Sequence, residues 1–241
     1  MIELDRDDPV ARLTLAAPER RNALRIADME EMAARLQEVE EDTTLRVLIL
    51  TGQGSTFCAG ADFAELEAGL RPDLTLTRLS TRIATLRVPV IGALNGGTFG
   101  AGLDLALACD FRIGVEGMKV AVPAAAIGVH YPGEAIARAS ARLGPDTARR
   151  LFLAAETLEG EAVATAGIVE HLVSVDELAA AAEARAATIA RLAPLAIEGM
   201  KRSLNAADDA EPRVAACFAS GDHAEALAAR REKRRPAFKR A

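Results

Sequence analysis

The chain has 241 residues, a formal net charge of -6 and a hydrophobic fraction of 50%, yet only 3% of its residues are aromatic. This length suits one large domain or two small ones with a sizeable core, which alanine, leucine, valine and isoleucine must fill. The acidic balance argues against a general polyanion binder, and the scarcity of rings argues against a reader of single-stranded nucleic acid.

Cysteine usage and the N-terminus favour a cytoplasmic protein without a metal site. The three cysteines, Cys58, Cys109 and Cys217, cannot all pair and show no CxxC or Cys/His spacing. A disulfide framework and a structural zinc site are therefore not expected. The N-terminal residues lack the basic-then-apolar order of a signal peptide, and no apolar run reaches the ~18 residues of a membrane span. We predict neither a membrane nor a nucleic-acid partner.

The first half of the chain alternates apolar strands, glycine-containing loops and helices. The predicted elements are two short strands over 2–16, a polar loop over 17–24, a helix with its apolar residues at three- or four-residue steps over 26–39, a buried strand over 46–51, a helix starting near 61–62, a helix over 74–86, a strand over 88–94, a helix over 103–109 and a strand over 111–115. Strands that are apolar throughout are typical of a parallel sheet covered on both faces.

The second half is predicted to be almost entirely helical from Ala135 onward, with breaks at glycine and proline residues. We therefore predict an α/β fold with parallel strands. The simplest division is an α/β core over residues 1–190 and a helical C-terminal region over residues 191–241.

Two glycine-containing loops, 58–62 and 97–102, each follow a strand and are predicted to lead into a helix. Backbone N–H groups at a helix start, aided by the helix dipole, can hold a phosphate or the oxygen of a carbonyl that becomes anionic. Neither loop has the Walker A or the GxGxxG pattern. If both loops converge they form an oxyanion hole with two donors. The alternative is that their glycines only allow close packing of helix on strand.

Asp104 is the second candidate feature. It lies three residues after Ala101, so its carboxylate projects from the same helix face about one turn on, ~4.5 Å along the axis. An acidic residue within an apolar segment is costly to bury without a purpose. The alternative is a carboxylate that only stabilises the helix N-terminus.

Five stretches of the chain resemble the enoyl-CoA hydratase/isomerase (crotonase) family and together span nearly its whole length. They are Ala17–Leu24, Leu48–Asp62, Val88–Gly96 continuing into Gly100–Asp110, Ser220–Glu225, and Glu232–Lys239. The resemblance implies a spiral of ββα units with a helical C-terminal trimerisation region, assembled as a homotrimer or homohexamer. It also implies an acyl-CoA substrate and a place in fatty acid metabolism.

The resemblance also assigns roles by motif position. It implies that the N–H groups of Ala61 and Ala101 form the oxyanion hole and stabilise a thioester enolate without a metal or a redox cofactor. Arg21 and the backbone of Ala59 would lie near the CoA nucleotide. Lys233 matches the family's lysine that reaches the CoA phosphate, often across a subunit boundary. Coenzyme A enters as part of the substrate, and no separate cofactor is implied.

The chain departs from the family at the acid/base residues. Family hydratases use two glutamates that share a water as acid and base. Asp104 stands at the first position, one methylene shorter, and Ala124 stands at the second, where a methyl group cannot carry a proton. Asp104 is therefore predicted to be the sole acid/base carboxylate. His130 and Tyr131 follow and could supply donors or a proton relay. The alternative is that both are structural.

The resemblance therefore implies an acyl-CoA enzyme of the hydratase/isomerase type that stabilises a thioester enolate. A first alternative is a decarboxylase of a malonyl-type thioester, because loss of CO2 needs an oxyanion hole but no strong base. A second is an acyl-CoA-binding paralogue that lost catalysis together with the second glutamate.

Overall fold

A computed structural model describes residues 1–205 and 208–241 of the protein. The described strands are β1 (Ile2–Asp7), β2 (Val10–Leu15), β3 (Val47–Gly52), β4 (Thr56–Cys58), β5 (Val90–Leu94), β6 (Gly97–Phe99), β7 (Phe111–Val115), β8 (Lys119–Ala121), β9 (Leu158–Glu159) and β10 (His171–Val173). The described α-helices are α1 (Ile26–Glu41), α2 (Phe63–Glu67), α3 (Asp73–Thr85), α4 (Ala101–Ala108), α5 (Gly133–Leu143), α6 (Pro145–Phe152), α7 (Glu161–Thr165), α8 (Leu178–Ala190), α9 (Pro194–Asn205), α10 (Glu211–Ala219) and α11 (Gly221–Glu232).

Two sheets organise the α/β part of the molecule. The larger has the strand order β1-β2-β3-β5-β7-β10, and the smaller has the order β4-β6-β8-β9. In the larger sheet only the β1–β2 pair is antiparallel, and β3, β5 and β7 run parallel to one another. Successive passes of the chain place one strand in the larger sheet and the next in the smaller, and helices follow. The predicted spiral of ββα units is confirmed.

The core lies between the larger sheet and its helices and is almost entirely aliphatic. In β3 the residues Leu48, Ile49 and Leu50 are buried, as expected for a strand covered on both faces. In α1 the residues Met29 and Leu36, which lie on one helix face, have no exposed surface. The apolar spacing in the sequence thus correctly predicts both elements.

The smaller sheet was not predicted, and the second half, predicted to be almost entirely helical, contains two short strands. Strands β4, β6 and β8 have three residues each, which is too short for a two-residue alternation to be recognised. Strands β9 and β10 interrupt the region that was expected to be helical. Within the described ranges, no helix is both long and apolar enough to cross a membrane.

The C-terminal helices contact the α/β core through charged side chains. On α9 the Lys201 ammonium donates to Asp110 Oδ2 at 2.6 Å, and Glu198 accepts from Arg87 at 2.7 Å. The predicted C-terminal region, residues 191–241, includes the two residues outside the described ranges.

The last residues of the chain fold back on α11 through Glu225. Its carboxylate accepts from Arg234 Nη2 at 2.9 Å and from the Ala237 N–H at 2.8 Å. The Arg234 guanidinium, followed by the Ala237 N–H, lowers the pKa of Glu225 from its ordinary 4.5 to about 2. A lowered carboxyl pKa stabilises the folded contact above the unfolded value, and this stabilisation is lost as the pH falls through the folded value.

Acidification from pH 4.5 to 2 is therefore expected to release this C-terminal turn. The Ala237 amide should lose hydrogen-exchange protection over that interval, after correction for the intrinsic exchange rate. Glu225→Gln should make the protection of this amide independent of pH there. An Ala237 amide in the unchanged chain that stays equally protected at the acidic end of the interval would contradict the assignment.

Candidate active site

The two glycine-containing loops meet beside the start of α4. Gly60 has a φ of +103°, and a Cβ built on it would lie 3.2 Å from the Phe99 carbonyl oxygen and 3.7 Å from the Ala101 nitrogen. Such a φ is rarely adopted by residues with a side chain. Glycine at this position therefore leaves open the space next to the Ala101 nitrogen that a Cβ would fill.

The N–H groups of Ala61 and Ala101 are both available for a ligand. The Leu24 N–H donates to the Gly60 oxygen and the Asp62 N–H donates to the Leu24 oxygen, each at 2.8 Å, and this bridge passes over Ala61. Ala101 is the first residue of α4, so its N–H lacks an intrahelical acceptor. Neither N–H has a hydrogen-bond partner within the residues that the structure describes.

Both loops lead into a helix, as expected, but only Ala101 is itself a helical residue. Helix α2 begins at Phe63, has five residues and is capped by Asp62, whose side chain accepts from the Glu65 N–H. Ala61 lies before this cap, in the bridge to Leu24. Because the helix dipole acts within the first turn, the Ala101 N–H lies in the positive end of the α4 dipole.

Two buried asparagines hold the loops that carry the donors. The Asn22 side chain accepts from the Ala17 N–H at 2.9 Å and donates to the Thr56 oxygen at 2.7 Å. The Asn95 side chain accepts from the Gly52 N–H at 3.0 Å and also donates to the Thr56 oxygen. Both amides donate to the Thr56 carbonyl, which lies just before the first loop, and each connects it to another turn of the spiral.

Helix α2 is also fastened to the start of α1. The Glu65 carboxylate accepts from the Ile26 N–H at 2.9 Å, which satisfies a free donor at the N-terminus of α1. The Arg25 and Asp62 side chains lie 3.6 Å apart. These contacts position the loop that carries Ala61.

Asp104 lies on α4 one turn beyond Ala101 and is almost fully buried, with 3% of its surface exposed. One carboxylate oxygen accepts from Ser80 Oγ of α3 at 2.6 Å, and the other accepts from Arg138 Nη1 of α5. Burial raises the pKa of Asp104, whereas the Arg138 guanidinium and the Ser80 hydroxyl oppose that rise. We call these three side chains, Ser80, Asp104 and Arg138, the carboxylate clamp.

A small apolar cavity lies beside Asp104, and two aromatic rings form part of its wall. The cavity has no volume that a water molecule could occupy. It is lined by Gly100, Leu103, Asp104, Leu107, Val122, Tyr131, Ala135, Ala139 and Phe152. The Tyr131 and Phe152 rings lie 5.3 Å apart with an interplanar angle of 50°.

The Tyr131 hydroxyl is a buried polar atom without a partner in the described part of the chain. Burial raises the pKa of this phenol well above its ordinary value, and the nearby Asp104 carboxylate adds to the rise. Tyr131 therefore stays protonated at neutral pH and can donate a hydrogen bond. A buried donor left unpaired costs free energy that a polar ligand atom would recover.

Ala124 and His130 lie on the segment that precedes α5. Ala124 is half-buried in a 3-10 turn over Pro123–Ile127 and brings no proton carrier. His130 is exposed, and its side chain is not part of the cavity wall. The structure thus brings Tyr131 to Asp104 but not His130, whose catalytic role stays a prediction.

The three residues assigned to coenzyme A form one contact among themselves. The Ala59 N–H donates to the Arg21 carbonyl oxygen at 3.0 Å, so these two loops are adjacent. Arg21 is exposed and has a left-handed backbone conformation. Lys233 is exposed at the C-terminal end of α11, also with a positive φ.

The cysteines have no disulfide partners in the described chain. Cys58 lies at the end of β4, and burial raises the pKa of its thiol to about 12. A thiol that stays protonated is a poor nucleophile. This agrees with the interpretation of Cys58 as a small packing residue.

The sequence interpretation missed Ser80, Arg138 and Phe152. Ser80 falls on the buried face of α3, beside Leu79, so its polar side chain among apolar positions was a usable signal. Arg138 directly precedes the buried Ala139 on α5. Which carboxylate these two residues contact depends on packing between helices, which periodicity does not reveal.

The arrangement combines two free backbone donors, a buried carboxylate one turn away and an unpaired phenol. Donors of this kind stabilise negative charge that develops on a carbonyl oxygen. A single carboxylate can take up one proton, but it cannot act as acid and base at the same time.

The chain is similar to several known proteins over nearly its whole length. The family model described as enoyl-CoA hydratase/isomerase matches residues 5–240. A probable enoyl-CoA hydratase of Mycobacterium tuberculosis, echA6, is 38% identical over 99% of both chains. The crystal structure of an enoyl-CoA hydratase from Bacillus anthracis covers 100% of this chain and 99% of its own, with a TM-score of 0.93 and 28% identity. An enoyl-CoA hydratase/carnithine racemase structure from Magnetospirillum magneticum also has a TM-score of 0.93, with 30% identity and coverage of 100% and 96%.

Proposed function

The chain belongs to the enoyl-CoA hydratase/isomerase family, whose members act on acyl-CoA, and from that premise we propose that it stabilises a thioester enolate between the N–H groups of Ala61 and Ala101. The observation that carries the proposal is that both N–H groups are free among the described residues and that Gly60 leaves the space next to the Ala101 nitrogen open. A thioester oxygen placed there would receive two hydrogen bonds as its charge develops.

Asp104 is the carboxylate best placed to take a proton from the bound acyl group. It lines the same cavity as Gly100, the residue before Ala101. Hydration of a double bond needs one group to activate water and another to protonate the α-carbon. Ala124 provides neither, so we do not assign the two-carboxylate hydration to this chain.

A second candidate reaction is decarboxylation of a malonyl-type thioester. The observation that favours it is that both Asp104 oxygens already accept hydrogen bonds, while the Tyr131 hydroxyl has no partner among the described residues. The bond between the carboxylate and the α-carbon would break, its electron pair would form the enolate, and CO2 would leave. Solvent water would then protonate the α-carbon. No protein base is needed for the first step.

The coenzyme A portion is proposed to lie along the adjacent Arg21 and Ala59 loops. Because the Ala59 N–H is already bonded to Arg21, its carbonyl remains to accept a hydrogen bond from the nucleotide. The ammonium of Lys233 would meet a CoA phosphate. This side chain is exposed and therefore free to reach such a group.

The assembly is proposed to be a homotrimer or homohexamer formed through the C-terminal helices. Large apolar side chains on α9 and α10 support it: Leu204 is 85% exposed and Phe218 is 69% exposed. A surface of this kind on neighbouring helices is typical of protein contacts.

A comparison of three substrates with an Asp104→Asn variant tests the proposed function. Purified protein receives a 2-enoyl-CoA, a 3-enoyl-CoA and a malonyl-type CoA, and turnover and binding are measured separately. If Asp104 carries the proton, Asp104→Asn should lower kcat for the ester that is turned over by about 10²-fold. It should leave the dissociation constant nearly unchanged, since Asn keeps the size of the side chain.

Asp146→Asn is the matched control, because that carboxylate is 93% exposed on α6. If Asp104→Asn leaves every rate unchanged, Asp104 has no part in proton transfer. Decarboxylation that survives Asp104→Asn would favour the second candidate. Tight binding of all three esters without turnover of any would instead support a binding protein.

A further inference from the structure

The carboxylate clamp joins three helices through Asp104. Among the described residues that line the cavity, Asp104 carries the only carboxylate. Ser80 comes from α3, Asp104 from α4 and Arg138 from α5. The Asp104 side chain is 2% exposed and the Arg138 side chain 14% exposed, so both charges are largely withdrawn from water. A buried charge without a partner is strongly destabilising. Each of these two groups therefore depends on the other.

The clamp also favours the charged form of Asp104 against the opposing effect of burial, because a guanidinium stays protonated in proteins. Protonation of Asp104 would leave the buried Arg138 with an uncompensated positive charge. Ser80 donates to the opposite oxygen at 2.6 Å, and a hydroxyl donor favours the ionised form as well.

The remaining groups that face Asp104 act more weakly. Glu134, on the same helix as Arg138, opposes ionisation through like charge. Tyr131 approaches from the loop before α5, and Cys58 of β4 lies within electrostatic range of its hydroxyl. Tyr131 and Cys58 are neutral at ordinary pH. Among the groups named here, Arg138 therefore supplies the only positive charge.

We infer that Arg138 is a positioning residue that fixes the orientation and favours the negative charge of Asp104, so that this carboxylate enters the reaction as a base and not as an acid. The role of Asp104 as a base rests on the proposed function, whereas its charge can be tested without any substrate. In this interpretation the guanidinium, and not a second carboxylate, determines the proton-transfer role of the site.

The experiment follows the Asp104 carboxyl directly. The full chain is prepared with aspartate labelled with 13C at the side-chain carboxyl, and Asp104→Asn identifies the resonance of residue 104. Its chemical shift is recorded against pH for the unchanged protein and for Arg138→Met. We expect the Arg138→Met carboxyl to be a weaker acid by about tenfold or more, which is the order of effect of a close guanidinium.

Arg138→Lys should bring the titration of Asp104 most of the way back to that of the unchanged protein, because lysine keeps the positive charge. Recovery should be incomplete, because lysine lacks the planar guanidinium. Arg142→Met is the matched control, since Arg142 is an exposed residue one turn further along α5, and it should leave the titration unchanged. If the resonance titrates at the same pH in Arg138→Met as in the unchanged protein, the inference is overturned.

Urea unfolding covers the case in which Arg138→Met folds poorly. The double variant Asp104→Asn/Arg138→Met leaves no orphan charge and should unfold at a higher urea concentration than Arg138→Met alone. Equal midpoints for these two variants would contradict the mutual dependence. If no CoA ester is turned over, the proposed function fails while the titration still decides the inference. If a CoA ester is turned over but Asp104 titrates at the same pH in Arg138→Met as in the unchanged protein, the inference fails and the proposed function stands.

Discussion

Replacement of Gly60 by alanine is expected to lower kcat/KM for the thioester substrate by about 10³-fold, because the added methyl group blocks the space in which the carbonyl oxygen would sit. The new Cβ would lie 3.7 Å from the Ala101 nitrogen and 3.2 Å from the Phe99 carbonyl oxygen. Loss of one oxyanion donor costs about 10²–10³-fold in kcat, and a group in this space hinders access to both Ala61 and Ala101.

A second glycine separates this steric effect from backbone strain. Gly117 has a φ of +70°, and a Cβ on it would meet nothing within 4 Å. Gly117→Ala therefore also places a side chain at a positive φ, at a smaller conformational cost than at Gly60 and without filling the site. We expect it to keep nearly full kcat/KM, although it loses some stability. If Gly60→Ala folds and retains the activity of Gly117→Ala, the oxyanion hole is not in front of Ala101.

The contrast between these two glycines also shows what could be predicted from the sequence. The motif around Gly60 indicated that a loop with free N–H groups lies there, since the match extends over Leu48–Asp62. The second motif, Val88–Gly96 continuing into Gly100–Asp110, indicated that the second loop carries Ala101. The two loops lie close together because β4 and β6 pair in parallel. This closeness is why a Cβ added at Gly60 would contact the second loop. Three-residue strands do not produce a periodic signal, so this pairing was not predicted.

Long elements were predicted well for the opposite reason. Helix α1 has sixteen residues, and its buried positions repeat over several turns, so the pattern is unambiguous. Strand β3 was predicted because its central residues are all apolar. In both cases the pattern of apolar residues within one continuous segment is sufficient to predict the element.

The carboxylate clamp could be predicted only in part. Asp104 stood out because it is acidic within an apolar helix. Its partners lie 24 and 34 residues away along the chain, on α3 and α5. Helix packing brings them together, and a single sequence does not specify which polar residues on separate helices will meet. The prediction of Asp104 as the sole acid/base carboxylate therefore lacked the guanidinium that restricts its role.

Lys201 gives the largest expected effect on stability, and it is not among the residues that line the cavity beside Asp104. Its ammonium is buried and donates to Asp110 Oδ2 at 2.6 Å and to the Val88 oxygen at 2.8 Å. Burial lowers the pKa of Lys201, while the Asp110 carboxylate opposes this change. The pair fastens α9 to the segment between α4 and β7 and to the residues that precede β5, which leads into the loop before Ala101.

Lys201→Met is expected to lower the free energy of unfolding by about 3–5 kcal/mol, because it leaves the Asp110 carboxylate without its counter-ion. Urea unfolding followed by circular dichroism measures this, since the chain has no tryptophan to report by fluorescence. Lys119→Met is the matched control: Lys119 is 54% exposed and pairs with Glu159 at 3.3 Å. An exposed pair of this kind contributes about 1 kcal/mol or less.

The double variant Lys201→Met/Asp110→Asn distinguishes an orphaned charge from lost packing. The amide introduced by Asp110→Asn would remain able to accept from the Val90 N–H, which now donates to Asp110 Oδ2 at 2.7 Å, and no buried charge would be left. If the cost of Lys201→Met comes from the unpaired carboxylate, the double variant should be more stable than the single one. If both unfold at the same urea concentration, the cost lies in the packing of α9 against the core, and the buried ion pair is not what holds that helix in place.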